Sequence, residues 1–177
     1  MTALAIAKKA NAMPDAGDQQ RFVAFLESQQ RTLYKVAYIY CRDGEERRDL
    51  VQEMAIQLWR SFASFDGRAA PVTWTYRVAM NVAISYRRRE GRRIPNPLPL
   101  DFAFDVADAT FDAKTDQSRQ LRTLIDGLDE MNRALMLLYL EGFDHKEIGD
   151  VLGASATNVA TRLNRIKGKL QSQLVKE

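Results

Sequence analysis

Near the C-terminus, Thr157, Asn158, Thr161, Arg162 and Arg165 are side chains of the kind that read base pairs. Asn can pair with adenine through two hydrogen bonds, Arg with guanine, and a Thr methyl can meet the methyl of thymine. At helical spacing they lie opposite an apolar stripe of Val159, Leu163, Ile166, Leu170 and Leu174. From Arg162 to Lys176 there are five basic residues and no acidic one. Ser155 stands where a helix cap belongs, and a capped N-terminus turns N–H groups and a positive dipole end toward phosphate. An ordinary amphipathic helix with a solvated face shares this face chemistry. The signals upstream favour DNA: the stretch from Glu141 to Leu170 reads helix, tight glycine-bearing turn, helix, as in helix-turn-helix readers.

A second constellation lies in the segment from Phe65 to Glu90. Arg68 is in the loop, and Thr73, Arg77, Asn81, Ser85 and Arg88 recur at spacings near four, a polar stripe along one helix. Val78, Val82 and Tyr86 fall elsewhere, toward the expected core. At the helix end Arg87, Arg88, Arg89, Arg92 and Arg93 stand against a single Glu90. Such a basic end, with Trp74 and Tyr76 near its start, suits phosphate tracking and base stacking. Both aromatics also fit a core role, and arginines favour a helix C-terminus on dipole grounds alone. A third group, Asp49, Gln52 and Glu53, shares one helix face, for which the default expectation is solvation.

Other chemistries are poorly supplied. The 177 residues hold one cysteine, Cys41, and one histidine, His145, too few for an internal disulfide or a Cys/His zinc site. No P-loop, dinucleotide fingerprint or metal-ligand spacing occurs. Asp101 and Asp105 could in principle bind Mg²⁺, but a proline-broken segment positions ligands poorly. No cofactor is expected. No apolar run approaches the roughly 20 residues that span a bilayer, and a cytoplasmic location is expected.

Helices must position these groups. The first is expected from Phe22, with Phe22, Phe25, Leu26, Leu33, Val36, Ala37 and Tyr40 on one face. Asp43 with Glu46 resembles a capping box for the second, whose stripe is Leu50, Met54, Leu58 and Phe62, with Val51, Ala55 and Trp59 beside it. The third is expected from Val72 to Arg89. Residues 94–117 hold three prolines and five aspartates against one lysine, and read as a linker. Helical spacing resumes at Leu121, Leu124, Ile125 and Leu128. Asp129 can cap a helix striped by Ala134, Leu135, Leu138 and Tyr139, with Gly142 beyond its end. Asp144 with Glu147 repeats the cap before a short helix that ends at Leu152. The fold class is all-α: an N-terminal bundle of three to four helices over 19–93 and a C-terminal helix-turn-helix domain over 118–177. Residues 1–18 are expected to be a disordered tail. The formal net charge of +3 hides this basic helix end and acidic link.

The order DLVQE…LWR…FDGR…TWxYRVAxN…YRRR, then a linker, then LxxxxRxxxLxYLEGFDxKEIGDVLGxSxxxVxxRLxRxKxKL, resembles bacterial RNA polymerase sigma factors of the extracytoplasmic-function (ECF) type. The resemblance covers about residues 20–93 and 118–174. It implies a dissociable specificity subunit, not itself an enzyme. Asp49, Gln52 and Glu53 would bind core polymerase. Arg68, Thr73, Trp74, Arg77, Asn81, Arg87 and Arg88 would act on the −10 element, where a base leaves the stack for a protein pocket. Ser155, Thr157, Asn158, Thr161, Arg162 and Arg165 would act on the −35 element. The linker matches the segment that threads the polymerase cleft. The implied partners are core RNA polymerase, through its beta-prime clamp helices and beta flap, promoter DNA, and an anti-sigma factor. The chain departs from the pattern at Ala160, where the family often has a basic residue, and at His145-Lys146, where it often has an aromatic-acid pair. A regulator of the helix-turn-helix kind, binding DNA as a dimer without polymerase, is the alternative; it would not need the face at Asp49 or the arginine-ended helix.

Overall fold

The computed structural model describes residues 16–88 and 123–174. The expectations placed on residues 1–15, on Arg89, Arg92 and Arg93, on the 94–117 linker with Asp101 and Asp105, on Leu121 and on Lys176 lie outside the described residues. Among the described residues six long helices follow in order: α1 (Ala16–Tyr40), α2 (Gly44–Phe62), α3 (Pro71–Arg88), α4 (Glu130–Leu140), α5 (His145–Leu152) and α6 (Ala156–Leu174). A helical turn at 123–126 precedes α4, and no strand occurs among the described residues. The all-α class is as the periodicity implies.

The helix starts follow from local chemistry. The Asp43 carboxylate accepts the N–H groups of Glu45 and Glu46, and that of Asp129 accepts the N–H of Asn132 at 2.9 Å. Asp144 and Glu147 form a complete capping box, each side chain accepting the other's backbone N–H at 2.8 Å. Each such cap stabilises its helix by about 1 kcal/mol. One boundary differs from the sequence reading. Helix α1 begins at Ala16, so residues 16–18, assigned to the tail, form its first turn. Asp18 complements the helix dipole there and pairs with Arg21 at 3.2 Å.

Helices α1, α2 and α3 pack on one another. Phe22, Leu26, Leu33, Val36 and Ala37 of α1 meet Leu50, Val51, Met54 and Leu58 of α2, all buried. The core face of α3 is Thr75, Tyr76, Ala79, Met80, Ala83 and Ile84. Val78, Val82 and Tyr86, expected in the core, lie only partly buried on its flank. The face that α3 turns to α1, α2, α4 and α5 runs through Ala79 and Ala83, which leaves these three at its margin.

Helices α4, α5 and α6 form the second cluster. Helix α4 is apolar almost all round, with Ala134 to Leu138 continuously buried, because it lies between α5 and α6 on one side and α1 and α3 on the other. Tyr139 corrects the expected stripe. It is 37% exposed, and its hydroxyl and ring receive the ammonium of Lys167. The two clusters are joined by polar groups buried at their junction. The Tyr40 hydroxyl donates to the Glu130 carbonyl at 2.7 Å. The buried Arg133 guanidinium donates to the carbonyls of Ile39, Asp126 and Leu128. The rings of Tyr76 and Phe143 meet edge to face at 5.3 Å.

Candidate nucleic-acid interface

The helix-turn-helix is closed by two glycines with different duties. Gly153 ends α5 at φ +69°, a backbone region unfavourable for residues with a Cβ. Gly149 is needed for space: a Cβ there would run into the Ala154 carbonyl oxygen, while its own carbonyl accepts the Ala154 N–H at 3.0 Å. The sequence reading missed Gly149, since a glycine inside a helix pattern gives no sign of what crosses over it.

This turn sets the start of α6. The Ser155 hydroxyl accepts the Asn158 N–H at 3.2 Å, which caps the helix as expected. Val159, Leu163 and Ile166 are buried, which turns the opposite face outward. Thr157, Asn158, Thr161, Arg162 and Arg165 are all exposed on it. Three of these side chains are already engaged locally. The Thr161 hydroxyl donates to the Thr157 carbonyl at 2.9 Å, and Arg162 Nε donates to Asn158 Oδ1 at 3.0 Å. His145 is exposed on α5, as a surface residue would be.

The second surface is the loop before α3 together with that helix. Gly67 turns the loop at φ +74°. Asp66 accepts the backbone N–H of Arg68 at 3.0 Å and its Nε at 2.6 Å. These bonds hold the exposed Asp66 carboxyl below its ordinary pKa. Arg68, Arg77, Asn81 and Arg88 are exposed; Thr73 and Arg87 are partly buried. The two aromatics separate. Tyr76 is a core residue, whereas Trp74 is half-buried, with its ring centroid 4.9 Å from that of Phe65 and 5.5 Å from that of Phe25. Phe25 in turn packs on Phe62, and Phe62 on Phe22. A chain of rings thus ties the loop to α1 and α2. The supporting role of Phe25 and Phe65 is tertiary and leaves no sign in helical spacing.

The third surface is on α2. Asp49 and Gln52 are exposed and Glu53 is partly buried, on the side away from Leu50, Met54 and Leu58. Tyr86 of α3 lies beside this face: its phenol pKa is raised by burial first, then by the neighbouring Cys41, Asp49, Glu46 and Glu53. The acidic face and the C-terminal end of α3 are therefore adjacent. Cys41 is buried. Among the described residues no group of three or more His, Cys, Asp or Glu could hold a metal ion, and no helix is long and apolar enough to cross a membrane.

A helix-turn-helix with an exposed polar reading face, and a separate helix with exposed cations beside an acidic face, define a nucleic-acid-binding protein of two helical units. Two family profiles match in the same order: sigma-70 region 2 over residues 25–93 and sigma-70 region 4 over residues 118–170. The chain is 28% identical over 172 residues to the ECF RNA polymerase sigma-E factor of Haemophilus influenzae, covering 89% of each. Its fold resembles that of CnrH, solved in complex with the cytosolic domain of CnrY, with TM-score 0.65, 20% identity, and coverage of 97% of this chain and 95% of that one. It also resembles the sigma factor RpoE of Bartonella quintana, solved with the anti-sigma factor NepR, with TM-score 0.59, 18% identity, and coverage of 88% and 95%. The chain belongs to the sigma-70 family and is an RNA polymerase sigma factor of the ECF type, acting in transcription initiation.

Proposed function

We propose that the three exposed surfaces divide the work of initiation. Asp49, Gln52 and Glu53 dock the clamp helices of the core polymerase beta-prime subunit. The loop at Asp66–Arg68 and the α3 residues Thr73, Trp74, Arg77, Asn81, Arg87 and Arg88 bind and help to melt the −10 element. The cations hold phosphates, Asn81 offers a base contact, and the ring-backed loop offers a pocket wall for an unstacked base. Helix α6 reads the −35 element, and the unit over 118–177 that carries it meets the beta flap. The unit over 19–93 then serves the −10 element, with residues 94–117 as the link that threads the cleft.

The observation that carries this reading is the coincidence of the two family regions with two separately exposed polar faces, on α3 and α6. A regulator acting alone would leave the first of these without purpose. The bonds made and broken belong to the polymerase, in the cytoplasm. An anti-sigma factor is the expected negative partner, since the similar RpoE fold was solved with one. The test is holoenzyme binding to promoters with one element scrambled at a time. Arg77→Ala with Asn81→Ala is expected to lose sensitivity to the −10 sequence and retain it at −35. Equal sensitivity to both in that variant contradicts the assignment.

A further inference from the structure

The side chains of α6 are not independent. Arg162 Nε donates to Asn158 Oδ1 at 3.0 Å, one helical turn away on the exposed face. The bond has consequences for both partners. Adenine is read by an Asn that offers its oxygen and its nitrogen together along the base edge. Asn158 has its oxygen directed along the helix to Arg162, so this arrangement does not present that pair outward. Arg162 has spent Nε, the one donor that an arginine can use without its terminal fork, and keeps the two Nη groups. Two parallel donors match the O6 and N7 acceptors of guanine. Beside them, the Thr161 hydroxyl is committed to the Thr157 carbonyl, which leaves its methyl as the outward group. Ser155 holds the Asn158 backbone at the helix start, so the acceptor for Arg162 is itself placed by the cap.

We propose that Asn158 and Arg162 form one composite reader of a guanine in the −35 element, with Asn158 as a positioning residue that sets the guanidinium plane rather than a reader of adenine. The inference rests on the assignment of α6 to the −35 element. A free arginine samples many rotamers, and ordering it costs side-chain entropy. An acceptor one turn away removes part of that cost before DNA arrives and favours one base geometry over others.

The test is a holoenzyme binding series on promoters randomised across the −35 element, read as base preference at each position. Arg162→Ala is expected to abolish a guanine preference at one position, a loss of about tenfold or more. Asn158→Ala is expected to weaken the preference at that same position several-fold, with no change at positions read by other residues. Asn158→Asp keeps the acceptor; it should retain the guanine preference while lowering affinity evenly for all sequences, through its added negative charge. If Asn158→Ala instead removes a preference for adenine at a separate position, the composite reader is wrong, and it is equally wrong if Arg162→Ala alters a base other than guanine. If Arg162→Ala and Asn158→Ala both leave every −35 preference intact, the assignment of α6 to that element falls first. Circular dichroism melts of each variant separate these outcomes from misfolding, which two exposed positions should not cause.

Discussion

Lys35 Nζ lies 2.8 and 2.6 Å from the two carboxylate oxygens of Glu141, joining the C-terminal part of α1 to the residue that caps the end of α4, 106 positions later. Both side chains are mostly buried, at 28% and 21% exposure, and Glu141 also sits against the Tyr76 phenol. The pair therefore secures the start of the helix-turn-helix to the first helical cluster. Between an exposed pair and a fully buried one, removal of one partner should cost about 1–2 kcal/mol. Glu141→Ala is expected to loosen the two clusters, seen as a larger radius of gyration in small-angle scattering with helix content kept. The charge reversal Lys35→Glu with Glu141→Lys should restore part of the compactness, and an unchanged radius in the single variant would show that the pair holds nothing.

Alkali should act on the same junction. The phenols of Tyr40 and Tyr76 are raised well above their ordinary value of 10.0, in both cases chiefly by burial; a carboxylate of Glu141 adds to the effect at Tyr76, and Arg133 opposes it at Tyr40. A raised pKa means that the folded state keeps protons that the unfolded chain releases. Their contribution is whole below pH 10 and is lost as pH rises beyond it. Tyrosinate absorbance from these two residues should thus appear only together with loss of circular dichroism. Early titration of all six tyrosines in a folded chain would disprove it.

Gly149→Ala is expected to damage the helix-turn-helix selectively. The added methyl meets the Ala154 carbonyl and must push the turn apart, an overpacking cost of about 1–3 kcal/mol. Promoter binding through the −35 element should fall, while −10 discrimination is retained. A normal melting profile with normal −35 use would mean that the turn has more freedom than its backbone hydrogen bond indicates.

Asp49→Ala with Glu53→Ala should weaken core polymerase binding without unfolding the chain, because Asp49 is exposed and Glu53 only partly buried. Pull-down with core enzyme measures the effect, with the thermal melt of the free chain as its control. Retained capture at unchanged affinity would move the docking site elsewhere.

Much of this layout is local and so legible in the sequence. Asp129, Asp144 and Ser155 announce helices because a capping carboxylate or hydroxyl meets N–H groups only two or three residues away. The exposed polar face of α6 follows from spacing against Val159, Leu163 and Ile166. What periodicity does not encode is which helix covers which face. The face that α3 turns to its neighbours runs through Ala79 and Ala83, which leaves Val78, Val82 and Tyr86 on the flank. Arg133 passes for a surface residue in a pattern, yet it donates into carbonyls from both clusters. Trp74 and Tyr76 are two positions apart with similar chemistry, and only the rings of Phe25, Phe65 and Phe143 separate their roles.

Run-off transcription with purified core enzyme on a genomic promoter library is the decisive measurement of promoter selection by this chain as a subunit of RNA polymerase. Discrete transcripts are expected from a set of promoters sharing −35 and −10 sequences, appearing only when this chain and core enzyme are both present. No specific start in that assay, with tight palindromic DNA binding by the chain alone, would contradict it.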